Sequence, residues 1–382
     1  MQLHLENILT DNRSNNFNMI RLFMALGVLY NHSFVLFDDN GKKDAVKYIF
    51  TYFDTGSLSV SVFFFISGML LTQSYFKTRN QLKFILKRLL RIFPGLLVCL
   101  FFTVLIVGPI NTIVPLKQYF LERGTGRYLY NIFLSNEIFF FELPGCFITN
   151  KLPYVVNGSL WTLPYELICY IFLFFILVLS GLLKSSRHST IKKVLMLFLF
   201  LFFAAYLLNG NYLLHRIVGL ITGFKAGASQ GNNSLPLFLF FFVGSLCYSL
   251  RKKIKLNFYY FVALCILLVV AHFFSIPLVF FLLEVMTICY GTLVWAGTRS
   301  LNRYNFKVDP SYGVYLYAWP VQQTFARFLH VSAYESLLYT IPVVVGLGWI
   351  SYLFIERPAM DSIKIIYSRW LKEEPVKLTT PV

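Results

Sequence analysis

The chain has 382 residues, of which 57% are hydrophobic, 19% aromatic and only 13% charged. A soluble domain carries about 25% charged residues, so a soluble fold is excluded and a polytopic membrane protein is expected. The net charge of +17 does not describe a nucleic-acid surface, because Lys and Arg cluster between apolar runs and are not interleaved with exposed aromatics.

In chain order, a short polar leader precedes an apolar run over residues 17–37, FNMIRLFMALGVLYNHSFVLF. That is long enough to cross a bilayer as a helix. Further spans are expected at 56–76, 92–113, 161–183, 194–208, 235–250, 258–274, 277–296, 311–330 and 336–355, giving an all-α bundle of about ten spans. Pro94 is expected in the first turn of its span, where its missing N–H costs little. Residues 128–141 are too short and polar for a span, with Asn131, Asn136 and Glu137 among them, so a re-entrant or surface-lying segment is expected. The apolar piece 212–224, interrupted by His215 and Arg216, is also left out of the count. Basic stretches at 77–91, 184–193, 251–255, 299–307 and the tail then fall on one side, which places both termini in the cytoplasm. Residues 1–360 read as one membrane domain and 361–382 as a polar cytoplasmic tail. Neither a cleaved signal nor an appended domain is expected. The six cysteines show no disulfide or zinc spacing.

The polar residues inside the spans carry the chemistry, since ionisable groups in a membrane helix are costly and functional by default. Arg21 and His32 are 11 residues apart, which returns them to within about 20° of one helix face and separates them by about 16 Å along the axis. Each could instead be interfacial, with Arg21 snorkelling to one membrane face. Arg88 and Arg91, in KRLLRIFP, are neighbours on a helix surface and suit a phosphate clamp. An ordinary positive-inside flank would look the same. In NGSLWTLPYE, Glu166 falls in a first helical turn, where the macrodipole favours a carboxylate. Alternatively Glu166 faces His32 at the outer side and orients it as a general base. Glu284 lies inside its span without a partner that the sequence names. His272 and His330 fall at span ends and read as interfacial.

Taken together, several motifs resemble the acyltransferase-3 family of polytopic membrane acyltransferases. They are Arg21 and His32 with ten residues between, GSLSVSVFFFISGMLL, the RxxR of Arg88 and Arg91, SLWTLPYE, SYGVYLYAWPVQQ from Ser311, and FIERP. One departure is Tyr317-Ala318-Trp319, where many members have a histidine, so no second titratable residue is assigned to that helix. The resemblance implies transfer of an acyl group, usually acetyl, from cytoplasmic acyl-CoA to a hydroxyl of an envelope or exported glycan or a lipid-linked saccharide. It implies residence in the bacterial inner membrane. CoA phosphates would dock at Arg88 and Arg91 with the arm passing Arg21. His32 would be the base with Glu166 behind it, and neither metal nor nucleic acid is expected. A transporter or flippase of lipid-linked sugars is the competing class. Such folds show internal repeats, whereas the Arg21–His32 motif and SLWTLPYE each occur once.

Overall fold

The computed structural model describes residues 3–10, 15–37, 44–78, 80–135, 139–182, 191, 193–196, 231–274, 277–304, 308–363 and 366–367. Helices dominate these residues. The long ones are α1 (Phe17–Leu36), α2 (Thr55–Lys77), α3 (Gln81–Phe102), α4 (Leu163–Leu182), α5 (Gly231–Ser249), α6 (Phe258–Phe274), α7 (Pro277–Ala296), α8 (Ser311–Phe328) and α9 (Ala333–Ser351). Near the N-terminus a two-residue strand, β1 (Leu3–His4), pairs antiparallel with β2 (Lys255–Leu256), Leu3 opposite Leu256. Among the described residues, six helices are long and apolar enough to cross a membrane. The expected span at 194–208 lies almost wholly outside the described residues, as do 212–224, Asn136, Glu137, most of 184–193 and the tail from 368.

Local chemistry sets the helix starts. Asp54 accepts from Ser57 N at 2.7 Å and completes a capping box ahead of α2. Asn80 accepts from Lys83 N and starts α3. That start corrects the expected span at 92–113. The basic segment belongs to the helix, which runs unbroken through a π-helical turn to Asn111. Pro94 therefore lies inside α3 rather than in its first turn. The helix can carry Arg88 and Arg91 inward because buried polar groups meet them, as described below.

Helix α8 is the exception to hydropathy. It holds Gln322 and Gln323 and does not meet the apolar criterion of the six, yet residues 311–323 are all buried. It is polar because it faces other helices rather than lipid. Its Gly313 meets Gly348 of α9, where an added Cβ would come within 2.9 Å of the Gly348 Cα. Helices α2 and α5 approach as closely. A Cβ on Gly68 would strike the Phe241 carbonyl, and one on Gly244 would strike the Phe65 carbonyl. Small residues that let backbones touch are the usual basis of helix association in a membrane. Glu284 of α7, fully buried, finds its partner in the backbone: it accepts from Thr51 N at 2.5 Å and from Tyr52 N at 3.3 Å. Its role is to hold the loop that leads into α2.

The non-spanning stretch that includes residues 128–141 shapes the site. After a short helix at Arg123–Tyr128 and a 3₁₀ turn at Leu129–Phe133, the described residues 134–135 and 139–157 are irregular, and a second 3₁₀ turn follows at Gly158–Thr162. Val156, Asn157, Ser159 and Leu160 are buried inside the bundle, so this segment re-enters it. Asn157 Nδ2 donates to the Leu316 carbonyl of α8 at 3.0 Å. Helix α4 consequently begins among buried residues, with Leu163 and Tyr165 in its first turn both buried.

The α2–α5 contact gives a direct test. Gly68→Ala should destabilise the protein by about 1–3 kcal/mol, since the Phe241 backbone has no flexible side chain to move aside. The melting temperature of detergent-purified protein reads this, and a wild-type value would show that the helices separate freely.

Candidate active site

Two groups of residues sit at different levels of the bundle. In the first, two of the three guanidiniums from α1 and α3 meet two carboxylates. Asp309, in the loop ahead of α8, lies 3.1 Å from Arg21 Nη1 and 2.7 Å from Arg91 Nη2. Arg91 Nη1 also lies 3.5 Å from Glu356, which is fully buried. Ser311 Oγ donates to Asp309 at 2.5 Å and Ser351 Oγ to Glu356 at 3.1 Å. Arg88 is served differently. Its Nη2 donates to Ser74 Oγ at 3.1 Å, its guanidinium lies 5.9 Å from the Phe84 ring, and its Nε is buried without a hydrogen-bond partner among the described residues.

These arginines open onto a cavity of about 210 Å³ lined also by Phe63, Ser67, Thr162, Glu166, Tyr170 and Tyr315. Glu166 accepts a short hydrogen bond from Tyr170 OH, one turn along α4, and faces Ser67 Oγ at 3.4 Å. Two hydroxyls in the lining, of Tyr315 and Thr162, are tied to each other and to the re-entrant segment. Tyr315 OH donates to the Ser159 carbonyl at 2.7 Å, so the 2.7 Å contact with Thr162 has Thr162 Oγ1 as donor.

The second group surrounds His32. Its ring packs edge-on against Trp319 with centroids 4.6 Å apart, and its Nδ1 is buried with no hydrogen-bond partner among the described residues. Trp319 is itself fixed, because its Nε1 donates to the Val155 carbonyl at 3.0 Å. Gly158 lies against the indole face, where a Cβ would come within 2.8 Å of the ring. The re-entrant segment also covers the end of α1. Lys151 Nζ donates to the carbonyls of Phe34 and Phe37 at 3.1 and 2.8 Å, a cation placed at the negative end of the helix.

A family model described as an acyltransferase domain matches residues 14–356. The chain belongs to the acyltransferase-3 family. It is therefore a membrane acyltransferase of the kind that transfers groups other than aminoacyl groups. Among its relatives is an O-acetyl transferase of Shigella phage Sf6, 27% identical over 353 residues, covering 90% of this chain and 96% of that protein. Another is Nodulation protein 10 of Rhizobium leguminosarum bv. viciae, 26% identical over 368 residues, covering 91% and 93%. No solved structure matches.

Set against the sequence reading of this acyltransferase, the structure brings Arg21, Arg88, Arg91 and Glu166 to one cavity and leaves His32 outside it. The expected pairing of Glu166 with His32 is not present: no hydrogen bond or ion pair joins them among the described residues. The reason is the re-entrant segment, which lowers the start of α4 to the level of the arginines. The RxxR pair is also split, with Arg91 held by two carboxylates and Arg88 by a hydroxyl. Asp309, Glu356, Trp319 and Gln322 were not singled out from the sequence. Three arginines inside membrane helices do demand buried carboxylates, and that demand was the available signal for Asp309 and Glu356.

Asp309 supplies a prediction. Burial pushes its carboxyl up, but Arg21, Arg91 and the Ser311 hydrogen bonds outweigh that and leave it below the ordinary 3.8. A carboxyl lowered on folding contributes stability above its unfolded pKa and loses it as pH falls through the folded one. Wild-type stability should therefore drop on acidification below about pH 4, and Asp309→Asn should show a smaller acid-side drop. At neutral pH the variant should be destabilised by about 3–5 kcal/mol, since it strands buried guanidiniums. Thermal unfolding across pH checks both, and equal acid sensitivity in the two proteins would contradict the assignment.

Proposed function

We propose that this acyltransferase is an O-acetyltransferase of the bacterial inner membrane that moves an acetyl group from cytoplasmic acyl-CoA to a hydroxyl of an envelope or exported polysaccharide. The observation that carries the reading is the cavity of α1 and α3 arginines, with an imidazole whose Nδ1 is buried further along α1. The name of the phage relative, an O-acetyl transferase aligned along almost its whole length, supports the acetyl group and the oxygen acceptor.

The donor end is the arginine cavity. At about 210 Å³ it is smaller than the ~300–1,000 Å³ of pockets that enclose a whole drug-sized ligand. It suits a phosphate and the extended arm behind it, with the nucleotide outside. Arg88 and Arg21 face the donor phosphate, while Arg91 serves chiefly as the strut between Asp309 and Glu356. The cluster faces the cytoplasm, on the side where basic loops gather. His32 lies about 16 Å further along α1, a distance an extended thioester arm covers. There its unprotonated nitrogen takes the proton of the acceptor hydroxyl. The oxygen attacks the thioester carbonyl, the C–S bond breaks, and the imidazolium returns the proton to the thiolate. A positioned base contributes about 10²–10⁴-fold in rate. Glu166, in the cavity, acts on the donor rather than on His32.

The direct experiment is mass spectrometry of surface and exported glycans from a deletion strain and its parent. Loss of an acetyl-sized increment is expected, and identical glycan masses would overturn the reading. Variants then separate the two ends. His32→Gln should lower acylation by about 10²-fold or more, because it keeps hydrogen bonding but cannot act as a base. Arg88→Ala should raise the donor KM without loss of protein, and lysine should rescue it only partly. Arg91→Ala should instead destabilise the fold. Glu166→Gln should change donor-dependent kinetics and leave the acid limb of the pH–rate profile in place. A shifted limb would return Glu166 to the His32 pairing.

A further inference from the structure

We propose that Gln322 is the positioning residue of His32, accepting a hydrogen bond from its Nδ1–H and thereby leaving Nε2 as the basic nitrogen. The inference rests on the reading of His32 as the base. Gln322 is fully buried, in the tight contact where Ala25 and Leu29 of α1 meet Val314, Ala318 and Val321 of α8. Its side-chain Nε2 donates to the Leu29 carbonyl at 2.9 Å. That bond fixes the amide orientation, because only the NH₂ end can donate to a carbonyl. The other end, Oε1, is then an acceptor, and it is buried with no hydrogen-bond partner among the described residues.

The orphaned imidazole nitrogen is on the facing turn. Leu29 and His32 are three residues apart on α1, and Trp319 and Gln322 are three apart on α8. Residues at that spacing share a helix face. Gln322 contacts Leu29 and Trp319 contacts His32, so one turn of α8 lies along one turn of α1. On these facing turns, His32 Nδ1 and Gln322 Oε1 are each without a partner among the described residues; the bond between them is not made in this structure and needs the imidazole or the amide to turn toward the other. Buried polar atoms left unpaired are costly, and these two are complementary, since a ring N–H donates and an amide oxygen accepts. Neither Glu166 nor any other carboxylate is hydrogen-bonded or ion-paired to His32 among the described residues.

The consequence for the reaction is specific. The acceptor O–H proton moves to Nε2 and leaves again with the thiolate, while the Nδ1 proton stays throughout, held by Gln322. An amide therefore orients the ring without pairing its transient charge. This differs from a carboxylate-backed base and is independent of the donor cavity.

The test uses full-length protein labelled with ¹⁵N-histidine in lipid bilayers, with the His32 signals assigned by their loss in His32→Gln. The wild type should show the tautomer protonated at Nδ1. Gln322→Met keeps the side-chain length and removes both hydrogen bonds. It should shift His32 toward the Nε2-protonated tautomer and lower kcat about 10²-fold while the donor KM stays at its wild-type value. If that variant fails to fold, Gln322→Asn, too short to reach both partners, should move the tautomer in the same direction. An Nε2-protonated ring in the wild type, an unchanged tautomer in the variant, or wild-type kcat in Gln322→Met would each overturn the proposal. An active His32→Gln would instead sink the base assignment itself. Inactive His32→Gln beside fully active Gln322→Met would remove only Gln322.

Discussion

The arrangement depends on two carboxylates, the partly exposed Asp309 and the buried Glu356, neutralising guanidiniums inside a membrane bundle. Charges taken out of water cost several kcal/mol each unless they are paired and hydrogen-bonded. Asp309 sits between Arg21 of α1 and Arg91 of α3, and Glu356 approaches Arg91 from beyond the end of α9. One guanidinium thus ties together α3, the loop that starts α8 and the continuation of α9, and its neighbour ties in α1. The cavity is the space these ion pairs hold open. Arg88, one turn from Arg91 on the same helix, has no ion pair with a carboxylate among the described residues. Its charge is the one most available to an anionic ligand.

The sequence carried the identity of most groups but not their levels. Apolar runs located the helices, and the eleven-residue interval between Arg21 and His32 holds along an unbroken α1. Hydropathy failed where charge and burial coincide. Residues 81–91 looked like a basic flank because their neutralising partners are more than 200 positions away. The carboxylate of Glu166 was placed beside His32 on the assumption that α4 starts at the membrane face. Nothing in SLWTLPYE says that the preceding segment is buried, because its depth is set by contacts such as that of Asn157 with the Leu316 carbonyl. Gln322 and Trp319 do not titrate, so a reading that looks for ionisable groups passes over them. Their positions matter only once α8 is known to be wrapped by other helices.

The depth of the re-entrant segment also decides how the two ends of the site communicate. Tyr315 lines the arginine cavity, and Trp319, four residues later on α8, touches His32. One helical turn, about 6 Å, therefore separates the cavity wall from the imidazole's neighbour. Phe63, Tyr315 and Thr162 all line the cavity, and Tyr315 is fastened by the hydrogen bonds of its OH with Ser159 and Thr162. Each such bond has a net worth of about 0.5–1.5 kcal/mol, so releasing both is thermally accessible. On the proposed reading, a donor arm passes by displacing one tyrosyl hydroxyl while the helices stay in place. That economy follows from the geometry: the ion pairs fix the helices, the re-entrant segment fixes Trp319, and only the side chains between them need to move.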